Sequence, residues 1–174
     1  GPVQALRGVT LEVPEGAVIV DESVSYGRGF FRNTHAAAPH DWLQIMGGAI
    51  GAGIPLAVGS AIGLRSLGHN DRRVLALQAD GSAMYTVQGL WTQARERTKV
   101  LTVIFSNRAY NILEVEYRRL GINDIGKTAA SLFDLSGPDI DWVGLAASLG
   151  VPGSRAATCD AFVLALQRGL ESDG

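Results

Sequence analysis

Two short stretches, Ala79-Asp80-Gly81-Ser82 and Ser106-Asn107, hold the residues best suited to chemistry. Each follows an apolar run, Val74 to Leu77 in the first case and Val100 to Phe105 in the second. A carboxylate and an amide carbonyl are hard oxygen donors of the kind Mg²⁺ takes, and that ion usually completes its octahedron with phosphate oxygens and water. Gly81 and Ser82, at a helix start, would offer N–H and hydroxyl donors to the same phosphates. An Asp-Gly pair behind a strand and an Asn at a strand end are also ordinary turn chemistry, so the residues alone leave both readings open.

A strand, a helix and a second strand must position them. Met84, Val87, Leu90, Trp91 and Ala94 recur at helical spacing and predict one helix from Ser82 to about Arg97, with Met84, Val87 and Trp91 packed in the core. Val100 to Phe105 is apolar on both faces, as expected of a strand in the middle of a parallel sheet covered by helices. A right-handed crossover would bring Asp80 and Asn107, 27 positions apart (107 minus 80), to the same sheet edge.

The remaining pattern extends the same architecture. Ala17 to Val20 reads as a strand that meets a polar loop at Asp21-Glu22-Ser23. Ile54 to Leu67 reads as a helix with Pro55 in its first turn and Gly68 at its end. "YNILEVEYRRL" is helical in pattern, 121–138 reads as a loop, and Asp141 caps a helix stopped by Gly150. Val151 to Ala157 reads as a further strand, and Asp160 opens a last amphipathic helix. The fold class expected is α/β: a three-layer parallel sheet with helices on both faces. "VQALRGV" reads as the remnant of a helix, and "ESDG" follows a helix that such domains normally continue into a strand. A longer protein is therefore expected, with residues 1–174 as one domain lacking its last strand.

Composition removes several classes of function. The chain has 174 residues, 47% of them hydrophobic, which suits one core. Fifteen basic residues against seventeen acidic ones give a net charge of -2, with no basic stripe of the kind nucleic acid requires. A single cysteine, Cys159, excludes an intrachain disulfide and fits a reducing cytoplasm. Ile45 to Leu64 is uncharged and long enough to span a bilayer, but six glycines and Pro55 suit close backbone approach better than a membrane helix. His35, His40 and Asp41 lack a third soft ligand for zinc. "GGAIGAG" does not give the Gly-x-Gly-x-x-Gly of a nicotinamide-binding turn, and no clear strand runs directly into it.

"ADGSAMYTVQGLWTQARERTKVLTVIFSNRAYNIL" resembles the thiamine diphosphate motif, Gly-Asp-Gly followed after about 25 residues by Asn-Asn. "GGAIGAGIPLAVGSAIG" is similar to the segment preceding it in the acetolactate synthase and benzoylformate decarboxylase group. Nearly the whole chain thus resembles the diphosphate-binding domain of these enzymes. The resemblance implies thiamine diphosphate and Mg²⁺ as cofactors, with Asp80, the side-chain oxygen of Asn107 and the backbone carbonyl of Ala109 as metal ligands. It implies Gly81, Ser82, Tyr110 and, more loosely, Ser25 around the diphosphate. The carbonyl of Gly48 would accept a hydrogen bond from the aminopyrimidine, and Ile50 would wedge the cofactor into a bent shape.

The implied activity is decarboxylation of a 2-oxo acid such as pyruvate, followed by protonation or by ligation to a second carbonyl compound. Alternatives are a decarboxylase of benzoylformate type that does not ligate, and a domain that keeps the fold without catalysis. Leu113 falls where relatives line the substrate pocket, though helix burial would also account for it. His40, whose segment leads to the glycine-rich stretch, is a second candidate to face substrate. Ala79 and Ser106 depart from the motif's first Gly and first Asn without removing a ligand atom, and Asn111 stands where many relatives have Gly. The activating glutamate belongs to a pyrimidine-binding domain absent from these residues. The complete site would therefore need that domain from another subunit, in a homodimer or homotetramer, and this chain alone is expected to be inactive.

Overall fold

β1 (Val18–Glu22), β2 (Asp41–Gln44), β3 (Val74–Ala79) and β4 (Val100–Phe105) form one parallel sheet in the order β2-β1-β3-β4. The computed structural model describes residues 13–172, so the helical reading of "VQALRGV" lies outside the described residues. Helices α1 (Phe30–Asn33), α2 (Gly53–Ser66), α3 (Asp80–Ala83) and α4 (Gly89–Arg95) connect the strands. After β4 follow α5 (Asn111–Arg119), α6 (Lys127–Phe133), α7 (Trp142–Ser148) and α8 (Cys159–Glu171).

The apolar runs become strands because both faces are covered. Alternate residues Val18, Val20, Val74, Ala76 and Val100 pack against Ala57 and Leu64 of α2. The intervening Ile19, Leu75 and Leu77 pack against Leu166 and Phe162 of α8. A third cluster joins Ile54, Ala83 and Leu90 to Trp142 and Ala146 of α7. The expected three-layer architecture is therefore present. β4 is the outer strand of the described sheet, not a central one, and beyond Val100 its residues are half-buried.

The chain leaves β1 toward β2, then re-enters the sheet as β3 on β1's other side. In doubly wound sheets the crevice outside such a switch point is where ligands bind. Here the switch point lies between the C-terminal ends of β1 and β3.

Several elements differ from the sequence reading. The helix expected from Ser82 to Arg97 is two helices, parted by tight turns closed by Tyr85 N–H on the Ser82 carbonyl (3.2 Å) and Gly89 N–H on the Thr86 carbonyl (2.8 Å). Only Val87 of the proposed Met84, Val87, Trp91 core stripe joins the core. Met84 is 42% and Trp91 51% exposed, and the Arg95 guanidinium lies 5.4 Å from the Trp91 ring. β2 does lead into the glycine-rich stretch. Residues 151–157 form no strand, and α6 occupies part of the segment read as a loop. As expected, Asp141 caps α7 by accepting from Gly144 N–H at 3.0 Å, whereas α8 starts at Cys159 and is capped by Thr158, not opened by Asp160. Among the described residues no helix is long and apolar enough to cross a membrane.

Gln78 is completely buried on the α2 face, and its side-chain amide has no hydrogen-bond partner. A Cβ at Gly53 would collide with that amide. Gly53→Ala is therefore expected to lower the unfolding free energy by about 1–3 kcal/mol. Adding Gln78→Ala should recover part of the loss, which urea titration of the two variants measures.

Candidate functional site

Asp80 is the residue at which β3 turns into α3, and only 1% of it is exposed. One carboxylate oxygen accepts from Gly81 N–H at 2.9 Å. The other accepts from Arg108 N–H at 2.6 Å and from the Ser106 hydroxyl at 3.4 Å. Burial pushes its carboxyl above the ordinary value, against the lowering effect of these donors. Relative to the unfolded chain, folding therefore shifts this group toward its protonated form. That contribution to stability is complete below the unfolded pKa and is lost as pH rises through the folded one.

Asn107 stands between the two residues that bond to Asp80, so acid and amide share the C-terminal edge at the ends of β3 and β4. Its side-chain oxygen accepts from Ala109 N–H at 3.1 Å, closing a turn in which Arg108 takes a positive φ of 59°. An antiparallel bridge between Ala109 and Asp134 pins this turn. The bridge's bonds, Tyr110 N–H to the Phe133 carbonyl and Leu135 N–H to the Arg108 carbonyl, are both 2.8 Å and leave Ala109's own carbonyl out of the ladder.

Gly81 is buried under the Tyr110 ring, which a Cβ there would strike. Burial, with charge from Tyr85 and Asp80, raises the Tyr110 phenol above its ordinary value. The Ser82 hydroxyl turns inward, within hydrogen-bonding distance of the Ala79 carbonyl (3.0 Å) and the Glu22 carbonyl (3.3 Å). Ser82 therefore ties β1 to β3 across the switch point, and its single proton points into the fold. Ser25 is half-buried in the turn after β1, at the same edge.

The glycine-rich segment follows β2 at that edge. Gly47, Gly48 and Gly51 take φ of 64°, 70° and 94°, which side-chain-bearing residues rarely adopt. The Gly48 carbonyl accepts from Ile50 N–H at 3.0 Å, and Ile50 is half-buried. Leu113, 42% exposed, lies in the first turn of α5 with its N–H on the Tyr110 carbonyl at 2.9 Å.

His40 is not brought to these residues. It precedes Asp41, which pairs with Val18 at the opposite end of the ladder, about 20 Å from Asp80 at roughly 3.3 Å per strand residue. Its Nδ1 lies 2.8 Å from the Ala38 carbonyl, and its ring meets Trp42. A concavity of about 430 Å³ lies there between Phe31, His35 and Trp42, remote from Asp80. Among the described residues no three of His, Cys, Asp and Glu come together in a metal-binding group.

Glu22 is the residue that the sequence reading missed. It is the last residue of β1, 1% exposed, and its carboxylate accepts from Gly51 N–H (2.6 Å), Ala52 N–H (3.3 Å) and Gly53 N–H (2.8 Å). A signal existed in the sequence: α2 opens at Ala52-Gly53 with no capping side chain of its own, and an acid ends an earlier strand. What was absent was any hint that the two meet.

A parallel doubly wound domain whose switch point carries a buried acid beside an amide belongs to the class of α/β ligand-binding domains. Residues 25–174 match the family described as thiamine pyrophosphate enzyme, C-terminal TPP binding domain, and the chain belongs to that family. It is 47% identical over 173 residues to a protein of Mycobacterium tuberculosis (strain ATCC 25618 / H37Rv) provisionally named acetolactate synthase large subunit IlvX, covering 99% of this chain and 33% of that protein. Against benzoylformate decarboxylase of Pseudomonas aeruginosa it is 29% identical over 160 residues, 92% of this chain and 28% of the other. The crystal structure of benzoylformate decarboxylase from Polynucleobacter necessarius superposes with a TM-score of 0.79 at 26% identity, covering 94% of this chain and 29% of that one. The chain spans a third or less of the length of these relatives.

Proposed function

We propose that this domain holds Mg²⁺ and the diphosphate of thiamine diphosphate within a 2-oxo acid decarboxylase or carboligase of acetolactate synthase type. The observation that carries the reading is the Asp80 carboxylate bonded to both neighbours of Asn107, which puts the two residues at one sheet edge. The donor set fits the ion: a carboxylate, an amide oxygen and the Ala109 carbonyl are all hard oxygens, too few to fill an octahedron without phosphate and water.

In this reading Asp80, Asn107 and the Ala109 carbonyl take the metal. Gly81, Ser82, Ser25 and Tyr110 surround the diphosphate, with Ser82 contributing as a bridge between β1 and β3. The Gly48 carbonyl keeps a second lone pair for the aminopyrimidine, and Ile50 forms the wedge. Leu113 borders the substrate. When bound, the thiazolium ring supplies a carbon nucleophile and an electron sink. The protein's part is to orient the ring against the substrate and to keep water from the reacting carbon.

The domain would work within a longer, cytoplasmic, homodimeric or homotetrameric enzyme in which a pyrimidine-binding domain of another subunit completes the site. Similarity to benzoylformate decarboxylase over 92% of the chain supports a second reading, decarboxylation without ligation. Product analysis of the enzyme carrying this domain, with pyruvate and with benzoylformate, separates them. Acetolactate from pyruvate is the expected product. Benzaldehyde from benzoylformate, with pyruvate untouched, would favour the second reading, and no turnover of either would remove both.

A further inference from the structure

We infer that Glu22 and Thr86 are positioning residues which clamp Gly51 from opposite sides and so aim Ile50. The inference rests on the wedge reading of Ile50. Gly51 N–H donates to the Glu22 carboxylate at 2.6 Å, and the Gly51 carbonyl accepts from the Thr86 hydroxyl at 2.7 Å. Both polar atoms of the residue immediately after Ile50 are thereby held by side chains from elsewhere in the chain.

The two holders come from the two sides of the switch point. Glu22 ends β1, while Thr86 lies in the turn after α3, six residues beyond Asp80 (86 minus 80). The clamp therefore couples the loop carrying Ile50 to the segment carrying Asp80. Gly51 itself leaves little slack: its φ is 94°, and a Cβ there would come within 2.6 Å of the Tyr85 Cβ. Glu22 extends the grip along the chain, since Ala52 and Gly53 N–H also reach its carboxylate. Hydrogen bonds from backbone N–H groups to a charged acceptor at a helix start are roughly twice as strong as neutral ones. A loop rich in glycine would otherwise sample many conformations, and displacing a contact group by about 1 Å costs up to about a hundredfold in rate.

The test uses Glu22→Gln, Thr86→Val and Thr86→Ser in the enzyme carrying this domain, beside Ile50→Ala. Three readouts are needed: hydrogen exchange at Gly51, Ala52 and Gly53, cofactor affinity by calorimetry with Mg²⁺, and the separate values of kcat and KM. Glu22→Gln and Thr86→Val should speed exchange at Gly51 about tenfold or more and lower kcat about tenfold, with cofactor affinity and KM each changed less than about threefold. Thr86→Ser, which keeps the hydroxyl, should recover most of the turnover. Should Glu22→Gln fail to fold, the Thr86 pair decides alone. Unchanged exchange at Gly51 in Thr86→Val overturns the clamp. Faster exchange with undiminished kcat, in an enzyme that Ile50→Ala does slow, overturns the positioning role and leaves the wedge standing. Undiminished kcat in Ile50→Ala overturns the wedge reading and this inference with it.

Discussion

Asp80→Asn is expected to abolish thiamine diphosphate binding by the enzyme carrying this domain, with a loss of affinity of a hundredfold or more and the overall fold retained. Removing the carboxylate takes away the only negative charge among the three proposed metal ligands, and the ion they would hold would in turn help to fix the diphosphate. The two partners should therefore strengthen one another's binding, and EDTA should reproduce the effect of the substitution. An asparagine must place its NH₂ opposite Gly81 N–H or Arg108 N–H, so one hydrogen bond of Asp80 is lost, at a cost of about 1–3 kcal/mol. A far-ultraviolet circular dichroism spectrum checks that the fold survives. Burial raises the Asp80 pKa, so protons compete with the ion at a higher pH than they would at an exposed acid. Mg²⁺-dependent binding should accordingly weaken on acidification while surface carboxylates are still ionised. Binding indifferent to both EDTA and Asp80→Asn would overturn the site and favour a fold without catalysis.

The second large effect is expected at Ile50. Ile50→Ala should slow turnover about tenfold or more while changing cofactor affinity less than about threefold, because a wedge acts on the shape of the bound ring and adds little to its attachment. Ile50 is only half-buried, so the stability loss should stay near the low end of large-to-small substitutions, about 1–2 kcal/mol. Single-turnover kinetics alongside calorimetry distinguishes this from a folding defect. Equal losses in affinity and rate would assign Ile50 to binding alone.

The elements that carry Asp80 and Asn107 were legible because β3 and β4 are predominantly apolar, each followed by a polar turn, at Asp80-Gly81 and at Ser106-Asn107. α2 announced itself through Pro55 in its first turn and Gly68, with φ of 83°, after its end. β2 escaped notice because a four-residue strand with exposed ends presents only Trp42 and Leu43 to the core, too little for a period. The break in the helix after Ala83 was hidden by good helical spacing. The turn is stabilised by Thr86 bonding to Gly51, 35 positions away, which no local pattern encodes. For the same reason Trp91 looked like core. Residues 151–157 pair with no strand among the described residues, and Pro152 and Gly153 disfavour one there. Within the site, the metal-ligand candidates lie on local turns and could be read. Glu22 and the inward-facing Ser82 hydroxyl depend on contacts across the switch point. His40 was misplaced because a segment leading toward a site need not start near it.

The bridge between Ala109 and Asp134 gives the two halves of the proposed metal site unequal resistance to local opening. Asp80 directly follows β3, a buried strand, and strands of that kind are expected to open only close to global unfolding. Asn107 and Ala109 rest instead on a turn braced by 133–135, next to α5 and α6, neither of which has a fully buried residue. Opening of that outer unit would separate the amide and carbonyl from the acid without disturbing the sheet. Ligand occupancy and the folding of 107–135 would then be one linked equilibrium, so a protease cutting within 120–126 would report on cofactor binding from residues outside the proposed site.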